Sequence, residues 1–579
     1  MKIRERQVPD IPAAFATDLH PLLRRVYAAR GVLGDGQLGR QLAELHQPTL
    51  AGLDVALTLL ETALREQQRV LIVGDFDADG ATSTALMVLA LRAMGLREVS
   101  FLVPNRFEFG YGLTPEIVQL AQATAPDLLI TVDNGISSIE GVAAARALGM
   151  KVLVTDHHLP GSVLPQADAI VNPNQPNCDF PGKHLAGVGV AFYVLSALRA
   201  RLRASAWFAD KGIDEPNMAT WLDLVALGTV ADVVPLDRLN RILVHQGLQR
   251  VRAGQCRPGI RALLEVAGRD LARTVAADFG FAAGPRLNAA GRLDDMTLGI
   301  QCLLTDNYAL ARELAGQLNE LNSDRREIEA GMQQEALRIV EKLHFEDRAL
   351  PWGLCLYDGA WHQGVVGLLA SRIKERYHRP VIAFAQGDNG ELKGSARSIR
   401  GFHIRDALDA VAAANPGLVS KFGGHAMAAG LSLARENLEF FRDAFDREVR
   451  RQLRAEDLEE EIATDGSLAL ADLTLDAARA LRHGGPWGQH FPEPVFQGEF
   501  AVIQQRVLGG KHLKFTLAMP GDSAQLLDAI AFNVGEDILS SIAARDNDRR
   551  VSLLYRLDVN AWKGRESLQL MVERILSFG

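Results

Sequence analysis

Between residues 69 and 260 the chain alternates near-continuous apolar runs with stretches of helical periodicity. "RVLIVGD" precedes "TSTALMVLALRAMG", and "EVSFLVPN" leads through a glycine-rich loop into "TPEIVQLAQAT". "DLLITVDNG" precedes "SIEGVAAARALG", and "KVLVTDHH" follows. Strands with no polar face are buried on both sides, so this order predicts a parallel sheet covered by helices on both faces. Thr114 is placed to cap its helix, with Pro115 at the first helical position, where a missing N–H costs nothing.

A different object follows. Leu310, Leu314, Leu318, Leu321, Ile328, Met332, Ile339 and Leu343 recur at mostly helical intervals among many charges. They predict a long connecting helix, with room for a break, whose apolar stripe lies on its neighbours. From about residue 350 to 450 a second α/β pattern runs through "WGLCLYD", "VVGLLASRIKERY", "RPVIAFAQ" and "LKGSARS". The acidic tract "AEDLEEEIATDG", 455 to 466, reads as a solvated linker or helix end. Beyond it Leu513, Phe515 and Leu517 alternate and "RVSLLYRLDV" is strand-like, so a β-rich third domain is expected.

At 579 residues the chain exceeds one ordinary core, and roughly two to four domains are expected. A hydrophobic share of 48% with 23% charged residues describes a soluble folded protein rather than a disordered one. No apolar run approaches the ~20 residues of a membrane span. "MKIRERQVPD" carries charges and a proline where an export signal needs an apolar core. Cys178, Cys256, Cys302 and Cys355 are scattered with no CxxC, which favours reduced thiols in the cytoplasm over a disulfide or zinc framework. The net charge of −9 disfavours a nucleic-acid binder only mildly, because metal-binding acids can coexist with a local basic groove.

Three of the four strand candidates end at an acid: Asp75 after "LIVG", Asp133 after "LLITV" and Asp156 after "VLVT". In a parallel sheet these ends share one edge, the edge at which open α/β sheets bind ligands. One strand-end aspartate is explained by a helix cap or a turn. The triplet Asp75, Asp77 and Asp79, together with the pair His157–His158, is not. Carboxylates and imidazoles converging without cysteine suit Mn²⁺ or Mg²⁺. So many acids allow one carboxylate to bridge two ions ~3.5–4 Å apart. A histidine next to a ligand would be available to donate a hydrogen bond to a phosphoryl oxygen. Asp232, in the apolar "ALGTVADVVPL", would be costly to bury alone, although a cap or turn explains it equally well.

Taken in order, "GDFDADG", "VDNG", "TDHH" and "GTVADVVPL" resemble the DHH phosphoesterase superfamily. The similarity to its RecJ branch, bacterial single-strand-specific exonucleases, extends over nearly the whole chain through "NRFEFGYGL", "GPRLNAAGR", "HQGVVG", "KGSARS" and "FGGHAMAAG". The resemblance implies an α/β protein with a parallel-sheet DHH catalytic domain over 69–305 and an N-terminal segment, 1–68, packed on it. A connecting helix over 306–345, a smaller α/β DHH-associated substrate-binding domain over 346–452 and a C-terminal β-barrel of OB-fold type over 465–579 follow. It also implies two divalent ions, Mn²⁺ or Mg²⁺, held by Asp77, Asp79, Asp133, His157 and Asp232, with Asp133 as the bridge. Asp75 and Asp156 either ligate or orient, and His158 faces the scissile phosphate.

Phosphate and DNA contacts are expected elsewhere. "LKGSARSIRGFHIRD" offers Ser395 and Arg397, a hydroxyl and a guanidinium suited to phosphate oxygens, and "FGGHAMAAG" places His425 behind two glycines. "GPRLNAAGR" contributes Arg286, Asn288 and Arg292, either gripping the strand or forming a salt-bridged loop between domains. Arg106 is a similar candidate, beside aromatics that also suit a core. In the barrel Lys511, Lys514 and Trp562 are candidates to track a single strand, whereas Phe515 reads equally as core.

The leading expectation is a metal-dependent 5′-to-3′ exonuclease that cuts single-stranded DNA to mononucleotides in repair and recombination. It would work as a monomer in the cytoplasm, with a single-strand-binding protein and a helicase as partners. A DHH hydrolase of small phosphates, such as a nanoRNase, a cyclic-dinucleotide phosphodiesterase or a pyrophosphatase, shares the acids but would not need the third domain. A non-catalytic nucleic-acid adaptor is disfavoured, because every acid and histidine of the motif set is present.

Overall fold

In the computed structural model the described residues are 2–9, 15–16, 18–105, 112–347, 350–387, 390–535, 538–539 and 549–578; the side chains of 342–347, 522–524, 549 and 562 are not described. Strands Val70–Gly74 and Leu128–Val132 are buried at every position, as their unbroken apolar character requires. They lie at the centre of a five-stranded, all-parallel sheet in the spatial order Val99–Leu102, Val70–Gly74, Leu128–Val132, Lys151–Thr155, Ala169–Val171. The first two strands are reversed relative to chain order. That places a topological switch beside Val70–Gly74 and Leu128–Val132, where doubly wound sheets open a crevice at their carboxyl ends. Thr114 caps helix Pro115–Gln122 as expected, its side chain accepting from the Ile117 amide.

Helix Ala78–Ala93 leaves the first of these strands and is apolar nearly all round, which requires burial on every side. It packs against helices Gly187–Ala204 and Leu222–Ala231. All four cysteines are free thiols. Among the described residues no helix is long and apolar enough to cross a membrane.

The chain divides into two compact units. One comprises Arg4–Gly291, Asp295–Asn319 and Ala463–Gly579, and therefore holds both the parallel sheet and the C-terminal barrel. The barrel is closed, in the order Phe496–Leu508, His512–Met519, Asp522–Ala531, Arg565–Phe578, Arg549–Trp562, with one parallel pair, Asp522–Ala531 with Arg565–Phe578. Phe496, Phe500, Leu513, Phe515, Leu517 and Tyr555 fill it, which settles Phe515 as core. The other unit comprises Met1–Ile3, Arg292–Asp294 and Glu320–Ile462. Its mixed sheet, Lys421–Gly424, Ala428–Ala434, Glu391–Arg397, Val381–Gln386, Leu354–Tyr357, has a hydrophobic cluster on each face.

Two expectations are corrected. Helix Tyr308–Asp347 runs for 40 residues with no break. Leu314, Leu318 and Met332 are buried on it, but Leu310 is 42% exposed, and Asn322, Arg325 and Glu329 take buried positions. Arg325 bonds both Glu329 (2.8 Å) and Asn322 (3.2 Å), so a polar network replaces part of the expected apolar stripe. The burial of Leu343 lies outside the described residues. The acidic tract is not a plain solvated linker either. Glu461–Thr464 pairs as a strand with Lys2–Glu5, and Asp465 is buried.

Candidate active site

The carboxyl ends of the parallel strands carry the acids. Asp75 follows Gly74 and turns back to accept the Phe76 amide at 2.8 Å. Asp77 caps helix Ala78–Ala93, its Oδ1 accepting from Asp79 (2.9 Å) and Gly80 (3.0 Å). A cap of that kind satisfies amides the helix cannot, and an anion suits the helix's positive end. Gly80 permits this turn, because a Cβ there would lie 2.5 Å from the Asp75 carbonyl oxygen.

Asp79 is wholly buried, and its carboxylate accepts the first amides of a different helix, Gly187 at 2.6 Å and Val188 at 3.0 Å. Asp133 follows the neighbouring strand in the left-handed region (φ 61°) and is 2% exposed. Helix Gly187–Ala204 begins so close to it that a Cβ on Gly187 would lie 2.6 Å from the Asp133 Cβ. Asn134 ties the two central strands together by donating to the Val73 (3.1 Å) and Val132 (2.9 Å) carbonyls. Asp232 ends helix Leu222–Ala231.

His157 draws the set together. Its Nε2 stands 3.1 Å from Asp133 Oδ1, 3.5 Å from Asp232 Oδ2 and 4.0 Å from Asp79 Oδ2. Three overlapping groups have ligand atoms within 4.8 Å of one another: Asp133, His157 and His158; Asp79, His157 and Asp232; Asp75, Asp77 and Asp133. Asp156 is occupied differently. Its Oδ1 accepts the amides of His157 and His158 and the Nδ1 of His158 at 2.7 Å, and its Oδ2 accepts the Ile136 amide. Asp156 is thus bonded to both histidines of the pair.

The electrostatics follow. Burial, then the charge of Asp77, raises the Asp79 pKa to about 7. Burial and then Asp79 and Asp77 push Asp133 well above the carboxylate range, and the same neighbours with burial do so for Asp232. For His158 burial opposes the charged ring, but the bond and charge of Asp156, with Asp232 and Asp75, outweigh it and raise the pKa to about 9. Carboxylates this buried and this close need positive charge among them. The donor set, oxygens plus imidazole without sulfur, fits Mn²⁺ or Mg²⁺.

The segment "GPRLNAAGR" forms a helix, Gly284–Leu293, rather than a loop. Asn288 Oδ1 accepts the Ala78 amide at 2.7 Å, bracing the acidic turn from outside. Gly291 allows the close approach, since a Cβ there would meet the Phe76 carbonyl oxygen at 1.8 Å. Arg286 is 8% exposed and donates to Asn319 (3.0 Å) and the Ala282 carbonyl (2.8 Å), a bracing role within the fold. Arg292 donates to the Gly364 carbonyl at 3.2 Å. Asn288→Ala should weaken divalent-metal binding ~10–100-fold, the usual effect of losing a group that orients ligands. Isothermal titration with Mn²⁺ checks this, and an unchanged affinity would remove the bracing role.

In the other unit Ser395 and Arg397 share one face of strand Glu391–Arg397. A Cβ on Gly367, in the first turn of helix Val366–Tyr377, would lie 2.8 Å from Arg397 Nη2 and 3.5 Å from Ser395 Oγ. A helix start, a guanidinium and a hydroxyl form a cradle with the chemistry of a phosphate site. Arg397 is in register with Ala428, and the exposed His425 bonds back to Ala428 in the adjoining turn. Of the two glycines before His425, only Gly424 is sterically required, with φ 141° and a Cβ position 2.4 Å from the Ala428 carbonyl oxygen. On the barrel Lys514 is paired with Asp528 at 3.1 Å, and Lys511 is exposed in a turn. Arg106 and the Trp562 side chain lie outside the described residues.

Asn134 and Gly187 were not singled out by sequence. Asn134 lies inside "VDNG", and a glycine pair before the apolar run "VAFYVL" was the one available signal for Gly187.

Family models match three segments: the DHH family N-terminal domain over residues 69–229, the DHHA1 domain over 353–451 and the RecJ OB domain over 464–574. The single-stranded-DNA-specific exonuclease RecJ of Dickeya dadantii is 56% identical over 571 residues, 98% of each chain. The chain belongs to the RecJ family. A crystal structure of RecJ from Thermus thermophilus in complex with Mn²⁺ superposes with a TM-score of 0.80 at 32% identity, covering 100% of this chain and 79% of that one. The Mg²⁺ complex of the same protein gives 0.75 at 30% identity, covering 100% and 78%. RecJ membership makes the protein a metal-dependent hydrolase of α/β architecture with an OB domain.

Proposed function

We propose that the protein removes mononucleotides from the 5′ end of single-stranded DNA. The observation that supports this most is the convergence of Asp75, Asp77, Asp79, Asp133, His157 and Asp232 at one sheet edge, in a unit that also carries a closed barrel. Asp77, Asp79, Asp133, His157 and Asp232 would hold two divalent ions, with Asp133 shared between them and Asp75 within reach of the Asp77 side. Divalent ions held by these residues would supply Lewis acidity, for activating a water and for stabilising the oxygen that departs from phosphorus.

The chain's own groups supply the rest. Asp156 holds the His158 ring by Nδ1, so that its other nitrogen can donate to a phosphoryl oxygen. Asn288 and the cap of Asp77 fix the acidic turn. Ser395 and Arg397, with His425 beside them, take the terminal phosphate, and Lys511, Lys514 and Trp562 on the barrel follow the strand. Arg106 and Arg292 are proposed to contact it nearer the reacting end. The protein is proposed to act as a cytoplasmic monomer in repair and recombination, following a helicase and meeting strands coated by a single-strand-binding protein.

A hydrolase of small phosphates would make no use of the barrel. Turnover of a long single strand is therefore expected to exceed both that of a dinucleotide and that of a blunt duplex. A preference for the dinucleotide, or equal rates on duplex, would overturn the assignment.

A further inference from the structure

Within the unit that holds the acids, a cavity of about 630 Å³ lies where the catalytic part meets the barrel segment. That is the size of a small-ligand pocket, typically ~300–1,000 Å³. Val233, Phe281, Trp487 and Met571 are among the residues that line it. Phe281 is 77% exposed and Val233 63%, so two apolar residues of the lining are left open to water. Both sit on unusual backbone. Val233 is β-branched yet has φ 61°, and Phe281 lies on the π-helical turn Phe279–Ala283. Such features concentrate where a ligand must be met.

Four arginines line the same cavity. Three are neutralised: Arg269 by Asp278 (3.3 Å), Arg482 by Asp558 (3.2 Å) and Arg556 by Glu493. Arg252 instead donates to the Thr274 carbonyl at 2.8 Å, and among the described residues no carboxylate forms a salt bridge with it. Burial, then the charges of Arg482 and Arg40, oppose its positive charge, and Asp278, which pairs with Arg269, partly offsets them. Burial and the charges of Arg40 and Arg252 keep the neighbouring His245 neutral, with its pKa lowered to about 4.

An exposed aromatic and a guanidinium that no carboxylate bonds directly, lining one cavity, match a polyanion with flat apolar bases. Val233 directly follows Asp232, so the lining of this cavity reaches to within one residue of the acids. We propose that the cavity is a subsite for a nucleotide of the substrate strand beyond the one being hydrolysed, with Phe281 stacking on a base and Arg252 holding a backbone phosphate. The inference rests on the single-strand reading above.

The test is equilibrium binding of a long labelled single strand, with chelator present so that nothing is cut. The full-length protein is compared with Phe281→Ala, Phe281→Trp, Arg252→Met and Arg252→Lys. Phe281→Ala should weaken binding about tenfold, within the usual range for a lost base stack, and Phe281→Trp should bind like the parent. Because Phe281 is exposed, its truncation leaves the fold intact. Arg252→Met should weaken binding and flatten the slope of log K against log salt by ~0.7, and Arg252→Lys should restore that slope. Phe281→Ala and Arg252→Met both binding like a parent that does bind the strand would overturn the inference alone. A parent protein that neither binds nor degrades single strands would overturn the functional reading with it.

Discussion

Replacing Asp133 by asparagine is expected to lower nuclease turnover by ~10²–10⁴-fold while leaving the fold intact. Asp133 takes part in two of the three groups able to hold an ion, and it is 2% exposed. Lewis-acid stabilisation of a phosphoryl transition state is worth several kcal/mol, and each ~1.4 kcal/mol is tenfold in rate. Asparagine tolerates the left-handed backbone that Asp133 adopts, so the substitution removes charge without new strain. Burial and then Asp79 and Asp77 raise the Asp133 pKa, which means that without metal the ionised carboxylate is opposed. The neutral variant should accordingly melt higher than the parent in chelator. Its gain in melting temperature on adding Mn²⁺ should shrink, because stabilisation by a ligand follows its occupancy. Parental activity with a parental Mn²⁺ shift would rule out Asp133 as a ligand.

The second large effect is on stability. Asp465→Ala should cost about 3–5 kcal/mol, the usual consequence of leaving a buried charge without its partner. Arg30 engages both oxygens of Asp465, at 2.6 and 3.0 Å, with the two side chains 2% and 3% exposed. Asp465 also accepts the Val495 amide at 3.1 Å, and Arg30 donates to the Pro492 carbonyl at 2.8 Å. Tyr27, on helix Pro21–Ala28 just before Arg30, donates to the Gly484 carbonyl at 2.6 Å. The N-terminal segment thus clasps the stretch that leads into the barrel. Loss of that clasp should move the first unfolding transition in urea to lower denaturant. Arg30→Met combined with Asp465→Leu should recover part of the loss, since the Arg30 guanidinium is then not left buried without its carboxylate, while Arg6, 3.9 Å from Asp465, still loses a partner. An unchanged first transition in Asp465→Ala would show that the clasp contributes nothing.

Much of the site was legible because chemistry and topology coincide. Asp75, Asp133 and Asp156 each follow an apolar strand, and parallel strands must deliver their ends to one edge. The division of labour was less legible. Asp79 is held by the amides of Gly187 and Val188, more than a hundred positions away, and nothing local to "GDFDADG" announces that partner. Asn288 and Arg286 were legible only as candidate substrate contacts, because the groups they also bond, the Ala78 amide and Asn319, lie far from them along the chain. Asp465 sat among exposed acids, and its burial depends on Arg30, 435 residues earlier. The buried Asn322, Arg325 and Glu329 in the long helix likewise satisfy one another at i, i+3 and i, i+4 spacings, which a hydrophobic pattern does not register.

The central claim is metal-dependent attack from the 5′ end, and one measurement addresses it directly. A long single strand labelled at its 5′ phosphate is incubated with the protein, with Mn²⁺ or with chelator, and the first labelled product is sized. Label should appear at once as a mononucleotide, with Mn²⁺ only. Label retained on progressively shorter strands, label released in internal fragments, or release that persists in chelator would contradict it.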